Sequence, residues 1–598
     1  MPFSAFSSFP GTTRGSNGFQ SAVNPQRPVT NGGGLSGLFG NGPGNGNGFS
    51  GFGSGSHGME SMLTMLILQL VQQLLQQMLN QFQPTPAPTP VPTPAPVPAP
   101  APDYRSIDGT GNNLLHTEWG STEEGLARVA TPDDTRLTDT ALASAREISN
   151  AVSAQSGNTV NDKGLSDMFW LWGQFLDHDI THVNSSDEGE RADIAVPTGD
   201  PQFDPFGTGT VSLQFNRSDA TTGADGQRVQ ANSITAFLDG SNVYGSDAET
   251  SSNLREFTGG KLKMSEAGMM PADTQGQYMA GDTRANENPG LTSMHTLWVR
   301  EHNRIATELA AQHPDWNDET LFQEARTRVV AEMQAITYNE FLPNLLGENA
   351  LGTYQGYDPD TNPDIGAEFA SAAYRFGHSM LSSTFLRLDE SGQVVPEGNL
   401  TLQDSFFRPD KVAETGVDAI FRGFASQTAQ AADPMVIDDV RNLLFGPPGS
   451  GAGHDLVALN IQRGRDHAVG SYNDVREQLG LPRITSFDDP VWQGDFGQKL
   501  AQVYDSPDQV DLWVGGMAEQ HAGDALLGET LTTILTDQFQ DLRSGDRFWY
   551  ENRFSGQALE DLNSLRLSDV IKRNTGVVNI QDNVMIASNI HLQQINLA

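Results

Sequence analysis

The pattern of apolar and polar residues predicts a mainly α-helical protein. Apolar residues recur at spacings of three and four, which is typical of amphipathic helices, over residues 163–182, 291–312, 319–343, 363–381 and 491–505. Segments that alternate strictly between apolar and polar residues, as half-buried strands do, are few and short. We therefore expect a mainly α fold with one large domain over residues 103–598.

The first hundred residues have a different pattern and divide into three predicted segments. Residues 1–58 are rich in Gly, Ser and Asn, which predicts a disordered arm. Residues 59–82 place apolar side chains between glutamines, which predicts an amphipathic helix that self-associates and makes the protein a homo-oligomer. A lipid-surface or export segment is the alternative. In residues 83–102 every second residue is proline, which predicts an extended linker.

Charge and cysteine content exclude several classes of function. The formal net charge is −39, so the surface repels phosphate backbones and anionic lipids, and we expect no nucleic-acid partner. The chain has no cysteine, which excludes disulfides, thiolate metal sites and cysteine nucleophiles. No apolar run reaches the length of a bilayer span, and the N-terminus does not have the pattern of a secretory signal peptide.

The run QFLDHDITHV carries the densest set of chemically active side chains. On a helix Gln174, Asp177 and His178 lie at positions i, i+3 and i+4 and share one face, with His182 one turn further along. Three interpretations fit these residues alone. They are an acid–base histidine beside a haem, a metal site formed by the two histidines and a carboxylate, and a buried structural cluster.

Three further runs contain candidate residues that are weak signals when taken singly. GDTRANE contains Arg284 and Glu287 before a predicted helix, where charged residues are common in any protein. SAAYRFGHSM contains His378, and a lone histidine of this kind is more often packed than coordinating. LNIQRGRDH contains Asn460 and Arg463, and an arginine in such a run is suited to pairing with a buried anion.

The run TAFLDGS places oxygen donors at every second position. The donors are the Thr235 side chain, the Phe237 carbonyl, and the Asp239 and Ser241 side chains. Alternating oxygen ligands over a short loop suit Ca²⁺. An ordinary turn is the alternative interpretation.

Taken together and in this order, the five runs resemble the animal-type haem peroxidase family, also called the peroxidase–cyclooxygenase superfamily. The resemblance spans roughly residues 103–598. It implies an enzyme that uses hydrogen peroxide to form a ferryl oxidant on haem b. That oxidant would then oxidise halides, thiocyanate or phenolic donors. Because the chain lacks cysteine and its N-terminal arm has no counterpart in the family, we expect a bacterial member.

The resemblance assigns three residues to the catalytic machinery. His178 corresponds to the distal histidine, which moves a proton between the two oxygens of peroxide. Arg284 corresponds to the distal arginine, which stabilises the charge that develops as the O–O bond breaks. Gln174 corresponds to the amide near the peroxide and halide site.

The resemblance also assigns residues that hold the haem. His378 corresponds to the proximal ligand of the haem iron, and Asn460 to the residue that binds its other ring nitrogen. Arg375 matches a haem-side arginine, and Arg463 matches an arginine that faces a haem propionate.

Covalent attachment and a calcium site follow from the same resemblance. Asp177 and Glu287 match the carboxylates that form ester bonds to haem methyl groups. Asn288 stands where one family member carries a methionine with a sulfonium link, so no such link is expected. The residues that match the family's calcium site are Asp179, Thr235, Phe237, Asp239 and Ser241.

Three alternative functions stay open from the sequence. A fatty-acid dioxygenase of the same superfamily requires a tyrosine three residues before the proximal histidine, where this chain has Arg375. A non-haem metalloprotein would use His178 and His182. A non-catalytic surface or matrix protein would keep only the fold. We expect an extracellular or cell-surface location by a route without a signal peptide, with a cytoplasmic location as the alternative.

Overall fold

The structure is a computed structural model that describes residues 104–185, 189–223, 226–444 and 453–589. The predicted disordered arm (1–58), amphipathic helix (59–82) and linker (83–102) lie outside the described residues, so these three assignments stay predictions. The same holds for the last residues of the predicted 103–598 domain.

Helices dominate the described part of the chain, which confirms the predicted mainly α fold. The longer α-helices are Ala145–Val152, Asp167–Ile180, Pro289–Gln312, Asp318–Ile336, Asp410–Ser426, Leu456–Asp466, Glu529–Ser544, Gln557–Ser564 and Leu567–Asn574. The shorter α-helices are Ser241–Tyr244, Ala248–Leu254, Leu342–Leu346, Ala367–Ser371, Leu402–Ser405, Asp438–Arg441, Tyr472–Gln478, Phe496–Leu500, Leu512–Ala518 and Tyr550–Arg553. Thr283–Asn286, Ala373–Ser379 and Pro507–Gln509 are 3-10 helices, and Thr337–Phe341 is π-helical.

The strands of the described residues form four antiparallel pairs of two residues a strand. The pairs are Glu124–Gly125 with Ala231–Asn232, Ile194–Ala195 with Ser212–Leu213, Thr221–Thr222 with Arg228–Val229, and Thr384–Phe385 with Leu400–Thr401. Pairs this short tie loops together and do not form a layer of the fold.

The Asp167–Ile180 helix lies at the centre of the helical core. The Ser166 hydroxyl caps its first turn by accepting a hydrogen bond from the Met168 N–H. All fourteen of its residues are buried, because it packs against Ser241–Tyr244, Pro289–Gln312, Asp410–Ser426 and Ala373–Ser379. The predicted helix 163–182 is therefore too long at both ends, and His182 lies beyond it.

Two long helices follow the sequence pattern closely. Asn288 accepts a hydrogen bond from the Leu291 N–H and Pro289 occupies the first turn, so Pro289–Gln312 begins two residues before the predicted 291–312. Asn317 caps Asp318–Ile336 in the same way. The predicted 319–343 continues beyond that helix through the π-helical turn and into Leu342–Leu346.

The predicted helix over 363–381 is wrong as a continuous element. An α-helix covers only Ala367–Ser371, Ala372 leaves helical geometry with φ −136° and ψ −68°, and a 3-10 helix follows over Ala373–Ser379. Side chains of the segment bind distant groups. Glu368 accepts hydrogen bonds from the Val129 and Ala130 N–H groups. A periodic pattern within the segment does not indicate such tertiary bonds.

The predicted helix over 491–505 is also largely wrong, because only Phe496–Leu500 is helical. Trp492 instead forms an antiparallel bridge with Glu519. The Gln493 N–H donates to the Ala518 carbonyl, and the Gln520 N–H donates to the Val491 carbonyl. Pairing with a distant segment thus replaces the first turn of the expected helix.

The core is built from large aromatic side chains. Trp172, Trp298, Trp513 and Trp549 are among the largest fully buried residues. Within the described ranges, no helix combines the length and the apolar character needed to cross a bilayer.

Candidate active site

The Asp167–Ile180 helix brings Gln174, Asp177 and His178 to one side, as the sequence predicts. Their spacing of three and four residues gives them a common face, and all three side chains are at most 6% exposed. The 3-10 helix Thr283–Asn286 and the start of the Pro289–Gln312 helix lie against this face and bring Arg284 and Glu287 to it.

His178 is fully buried. Its Nε2 lies 3.8 Å from Glu287 Oε2, and neither ring nitrogen has a hydrogen-bond partner among the described residues. Burial, followed by the positive charge of Arg284, holds the pKa of His178 well below its usual range. The imidazole is therefore neutral at physiological pH and able to accept a proton.

Arg284 is held rigidly by carboxylates. Its Nε and Nη2 donate to Asp282 at 2.9 and 2.6 Å, and its Nη1 lies 3.4 Å from Asp177 Oδ2. Burial alone would raise the pKa of Asp282, but the charge and hydrogen bonds of Arg284 lower it far below its usual range. Asp282 thus stays ionised and fixes the direction of the guanidinium.

Gln174 is bracketed by two residues from the start of the long helix. Its Nε2 donates to Glu287 Oε2 at 3.1 Å, and its Oε1 accepts from Asn288 Nδ2 at 3.1 Å. The amide is therefore oriented, with its nitrogen toward the carboxylate beside His178.

The two predicted ester-forming residues both lie in this cluster, with Asp177 beside Arg284 and Glu287 beside His178. Burial raises the pKa of Asp177 to about 6, and burial raises the pKa of Glu287 well above its usual range. A buried ionised carboxylate is costly, and an ester is neutral. At both positions burial makes the ionised carboxyl group more costly than it is in water, and an ester would remove that cost.

His378 lies on the 3-10 helix Ala373–Ser379, which packs against the Asp167–Ile180 helix. Its Nδ1 is 2.7 Å from the Asn460 side-chain nitrogen, and Asn460 Oδ1 accepts from Arg375 Nη1 at 3.2 Å. Burial, with the charge of Arg375, holds the pKa of His378 well below its usual range. The structure thus brings together the three residues that the sequence assigns to one side of the haem.

The orientation of the Asn460 amide determines which nitrogen of His378 can bind a metal. Coordination through Nε2 requires a proton on Nδ1 and an oxygen to accept it. A half-turn of the Asn460 amide exchanges its oxygen and nitrogen, and crystallographers assign this choice from the hydrogen-bond network. The turned amide would hold His378 in the coordinating tautomer.

Arg463 differs in part from its predicted role. Its Nη1 donates to Asp466 at 2.9 Å and to Ser218 at 2.5 Å, and its guanidinium lies 4.5 Å from the Phe215 ring centroid. Burial, followed by the charge of Arg463, lowers the pKa of Arg375 to about 9. Arg463 is thus close to Arg375, but protein groups already bind both of its amino groups, since Nη2 donates to the Asn216 carbonyl at 3.2 Å.

Four of the five predicted calcium residues are joined directly. Asp179 accepts a hydrogen bond from the Ser241 hydroxyl at 3.1 Å, and Asp239 accepts from the Thr235 hydroxyl at 3.0 Å and from the Ser241 N–H at 3.1 Å. Phe237, the fifth, lies between Thr235 and Asp239 in the same buried segment.

The electrostatics of this segment suit a cation. Burial, followed by the charge of Asp239, raises the pKa of Asp179 to about 8. Arg326 lies 3.3 Å from Asp239 and compensates one of the two carboxylates. The described residues contain no group of three or more His, Cys, Asp or Glu side chains arranged for a metal, so any ion here would rely on hydroxyl and carbonyl oxygens as well.

His182, the second histidine of the run QFLDHDITHV, belongs to a different environment. Its Nδ1 lies 3.0 Å from the Ser233 hydroxyl, and its N–H donates to Asn232 Oδ1 at 2.8 Å. The alternative of a His178–His182 metal site therefore finds no support in the described residues.

Sequence reasoning missed Asp282 and the bracketing role of Asn288. Asp282 caps the 3-10 helix by accepting from the Arg284 N–H at 2.8 Å, and it also binds the side chain of the same residue. An aspartate two residues before a buried arginine at a helix start was the available signal.

The whole described region has relatives of known class. Residues 104–585 match the profile of the family described as animal haem peroxidase. The chain belongs to this family. It is therefore a haem-dependent peroxidase, an oxidoreductase.

Individual relatives of this animal haem peroxidase cover most of the chain. Peroxinectin A from Dictyostelium discoideum is 34% identical over 516 residues, which are 81% of this chain and 95% of that protein. Thyroid peroxidase from Sus scrofa is 33% identical and aligns with 80% of this chain. The chain spans only 35% of peroxidasin from Drosophila melanogaster, which is 34% identical.

Solved structures agree with this assignment. Peroxidase A from Dictyostelium discoideum has a TM-score of 0.75 at 34% identity, over 81% of this chain and 99% of that one. A fatty acid alpha-dioxygenase from Oryza sativa has a TM-score of 0.68 at 23% identity, over 79% of this chain and 84% of that one, and shows a shared fold. The named relatives come from Dictyostelium and animals, or share the fold in a plant, so the predicted bacterial origin is not supported. The absence of cysteine and an N-terminal arm without a counterpart in the family do not indicate from which lineage a chain comes.

Haem fits the residues that this peroxidase assembles. Iron in haem proteins is commonly held by a histidine nitrogen, and His378 offers one that a neighbouring amide can orient. On the other side, His178 has two buried ring nitrogens with no hydrogen-bond partner in the described ranges, which suits a group that meets a ligand.

Proposed function

We propose that this peroxidase reduces hydrogen peroxide at the site formed by His178, Arg284 and Gln174, and oxidises halides, thiocyanate or phenols with it. The observation that carries the proposal is the neutral, buried imidazole of His178 beside a fixed guanidinium. A proton acceptor and a positive charge at one point are what O–O bond cleavage requires.

His378 would hold the haem iron through Nε2, with the turned Asn460 amide accepting the proton of Nδ1 through Oδ1, which in the structure accepts from Arg375 Nη1 instead. When bound, the haem supplies the redox chemistry, and the protein supplies orientation and electrostatics. Arg375 and Arg463 place two positive charges near this side, which suits anionic propionates.

His178 would remove a proton from one oxygen of peroxide and return it to the other oxygen, which leaves as water. Arg284 would stabilise negative charge on the departing oxygen, and Asp282 keeps its guanidinium in place. Gln174 would position the peroxide or an anionic donor by hydrogen bonding.

Asp177 and Glu287 would each form an ester with a haem methyl group. Support comes from their burial and their raised pKa values, since an ester removes a charge that is costly to bury.

Calcium would bind between Asp179 and Asp239, and Asp179 directly follows His178 in the chain. An extracellular or cell-surface location and self-association through 59–82 stay predictions from the sequence.

Haem content tests the assignment of the proximal ligand. His378→Ala should lose most of the Soret absorbance per protein, whereas His182→Ala, a histidine bound to Ser233, should keep it. Full haem content in His378→Ala would contradict the assignment.

Acid–acetone extraction tests the ester bonds, because haem should stay with the wild-type protein and become extractable in the double variant Asp177→Asn, Glu287→Gln.

Turnover assays with iodide, bromide, thiocyanate and a phenol, each with peroxide, define the donor. Oxygen uptake with a fatty acid and no peroxide would instead indicate the dioxygenase alternative. Bound haem without any turnover would indicate a non-catalytic surface or matrix protein.

A further inference from the structure

A second site is suggested by an aromatic cavity that the peroxidase chemistry described above does not use. The cavity has a volume of about 480 Å³, within the range of small-molecule sites. Its wall includes Tyr338, Tyr354, Arg543, Trp549 and Tyr550, and exposed residues such as Asn349, Thr353 and Asn563 surround its mouth. We call it the aromatic cavity.

Arg543 shows that the wall is a built structure. Its guanidinium lies 5.9 Å from the Tyr338 ring centroid and 5.7 Å from that of Tyr354, and its two amino groups donate to the Leu351 and Gly352 carbonyls. The residue is 8% exposed, and its Nε has no hydrogen-bond partner among the described residues. The bonds to the two carbonyls hold the guanidinium against the rings of the wall.

The irregular backbone of the wall also indicates a functional site. Tyr338 belongs to the π-helical turn Thr337–Phe341, which interrupts an otherwise continuous helical segment. Single π-helical turns inside α-helices are frequent at functional sites.

Aromatic rings connect the aromatic cavity to the helix that carries His378. Ring centroids are 4.6 Å apart between Trp549 and Tyr338, 6.2 Å between Tyr338 and Phe539, and 5.7 Å between Phe539 and Tyr374. Tyr374 lies in the same 3-10 helix as His378, four residues before it. These rings form an unbroken ladder from a solvent-open cavity to the haem side of the protein.

We propose that the aromatic cavity binds a phenolic donor and that the ring ladder conducts its electron to the haem site. The proposal rests on the peroxidase function proposed above and names a substrate class for it. The tyrosine rings of the wall can stack on a phenol. Opposite charges of Arg543 and Arg566 and of Glu348 and Glu551 on the wall favour a neutral ligand.

The overall step balances with peroxide as the oxidant. Each phenol loses one electron through the ladder, and its O–H bond breaks as the proton passes to water at the cavity mouth. Two phenols and one hydrogen peroxide give two phenoxyl radicals and two waters. The ladder rings keep their own protons, since the electron tunnels across them, and Tyr338 retains its hydrogen bond to the Phe539 carbonyl.

The binding half is tested by equilibrium dialysis of guaiacol with the haem-loaded protein. Tyr354→Ala removes one ring of the wall and should raise the Kd by about tenfold. Tyr357→Ala is the matched control, because Tyr357 lies three residues away and does not line the cavity. Equal Kd values for the two variants would overturn the proposed site.

The electron path is tested with a phenol coupled to dextran. The dextran keeps the phenol out of the buried haem site, whereas the aromatic cavity is open to solvent. Phe539→Leu should leave the Kd for guaiacol unchanged and lower kcat for the coupled phenol by about tenfold or more, whereas Phe322→Leu, a buried phenylalanine outside the ladder, should not. Turnover of iodide is the internal reference and should be the same in all variants. An unchanged kcat in Phe539→Leu would overturn the path.

The two levels of the proposal fail differently. If the peroxidase function were wrong, the wild-type protein would oxidise neither iodide nor the phenol, and the electron path would fall with it. If only the cavity were wrong, iodide turnover would persist and the Tyr354 and Tyr357 variants would behave alike.

Discussion

At the scale of single residues, the site depends on a carboxylate that touches no reacting atom. Asp282 binds the Arg284 side chain and caps its helix. Asp282→Asn keeps an oxygen for the cap but removes the negative charge that fixes the guanidinium. We expect the rate of reaction with peroxide to fall by about tenfold while haem content stays unchanged, as followed by stopped-flow absorbance. An unchanged rate would show that Arg284 needs no such support.

Asp167 links stability to pH. Burial raises its pKa to about 7, although Trp170 Nε1 and the Ser382 hydroxyl both donate to its Oδ1. An unfolded aspartate ionises near about 3.9, so the folded state holds an extra proton between these values and loses stability as pH rises toward about 7.

Asp167→Asn retains the Oδ1 acceptor and cannot ionise. We therefore expect its free energy of unfolding to exceed that of the wild type at about pH 8, by up to about 4 kcal/mol, and to match it near about pH 4. Urea unfolding at both pH values measures the difference. A difference that is independent of pH would contradict the role of Asp167.

At the scale of elements, the proposed calcium residues join the end of the central helix to the Thr235–Ser241 segment. The same segment touches the loop before Arg284, because Gly281 packs so closely on the Ser241 carbonyl that a side chain would not fit. Loss of order in the Thr235–Ser241 segment would therefore disturb His178 and Arg284 together.

Removal of calcium should consequently lower both stability and the rate with peroxide. We expect a chelator to lower the Tm of the wild-type protein by about 5 °C or more, and to leave the Tm of Asp179→Asn unchanged. Elemental analysis measures the bound calcium directly. A wild-type protein with no bound calcium and no response to the chelator would refute the site.

The sequence predicted elements well where capping and periodicity agree. Pro289–Gln312 has an asparagine cap and an initial proline, and its predicted start is two residues late. The segment around His378 failed because its geometry is set by partners such as Asn460, 82 residues away. Local periodicity carries no information on such contacts.

At the scale of the whole molecule, the site combines residues that are up to 289 positions apart, from Gln174 to Arg463. The order of the five motifs along the chain identified these residues. Each motif taken alone did not. The hydrogen bonds from Arg284 to Asp282 and from Arg463 to Asp466 join residues only two and three positions apart, but the periodic pattern does not indicate which nearby carboxylate a buried arginine binds.

The N-terminal hundred residues should be separable from the catalytic region. The described residues contain their own hydrophobic core, so deletion of residues 1–102 should leave the Soret spectrum and Tm unchanged. If the predicted 59–82 helix self-associates, the same deletion lowers the oligomeric state. Light scattering coupled to size exclusion measures this. Loss of haem binding on deletion would contradict separability.

The most direct test of the central claim is the rate at which the haem-loaded protein reacts with peroxide. Stopped-flow absorbance should show that His178→Ala reacts about 10²–10⁴-fold more slowly than the wild type, since the proton acceptor is lost. His182→Ala, four residues along and bound to Ser233, should react within about a factor of three of the wild type. A near-normal rate in His178→Ala, at equal haem content, would contradict the account.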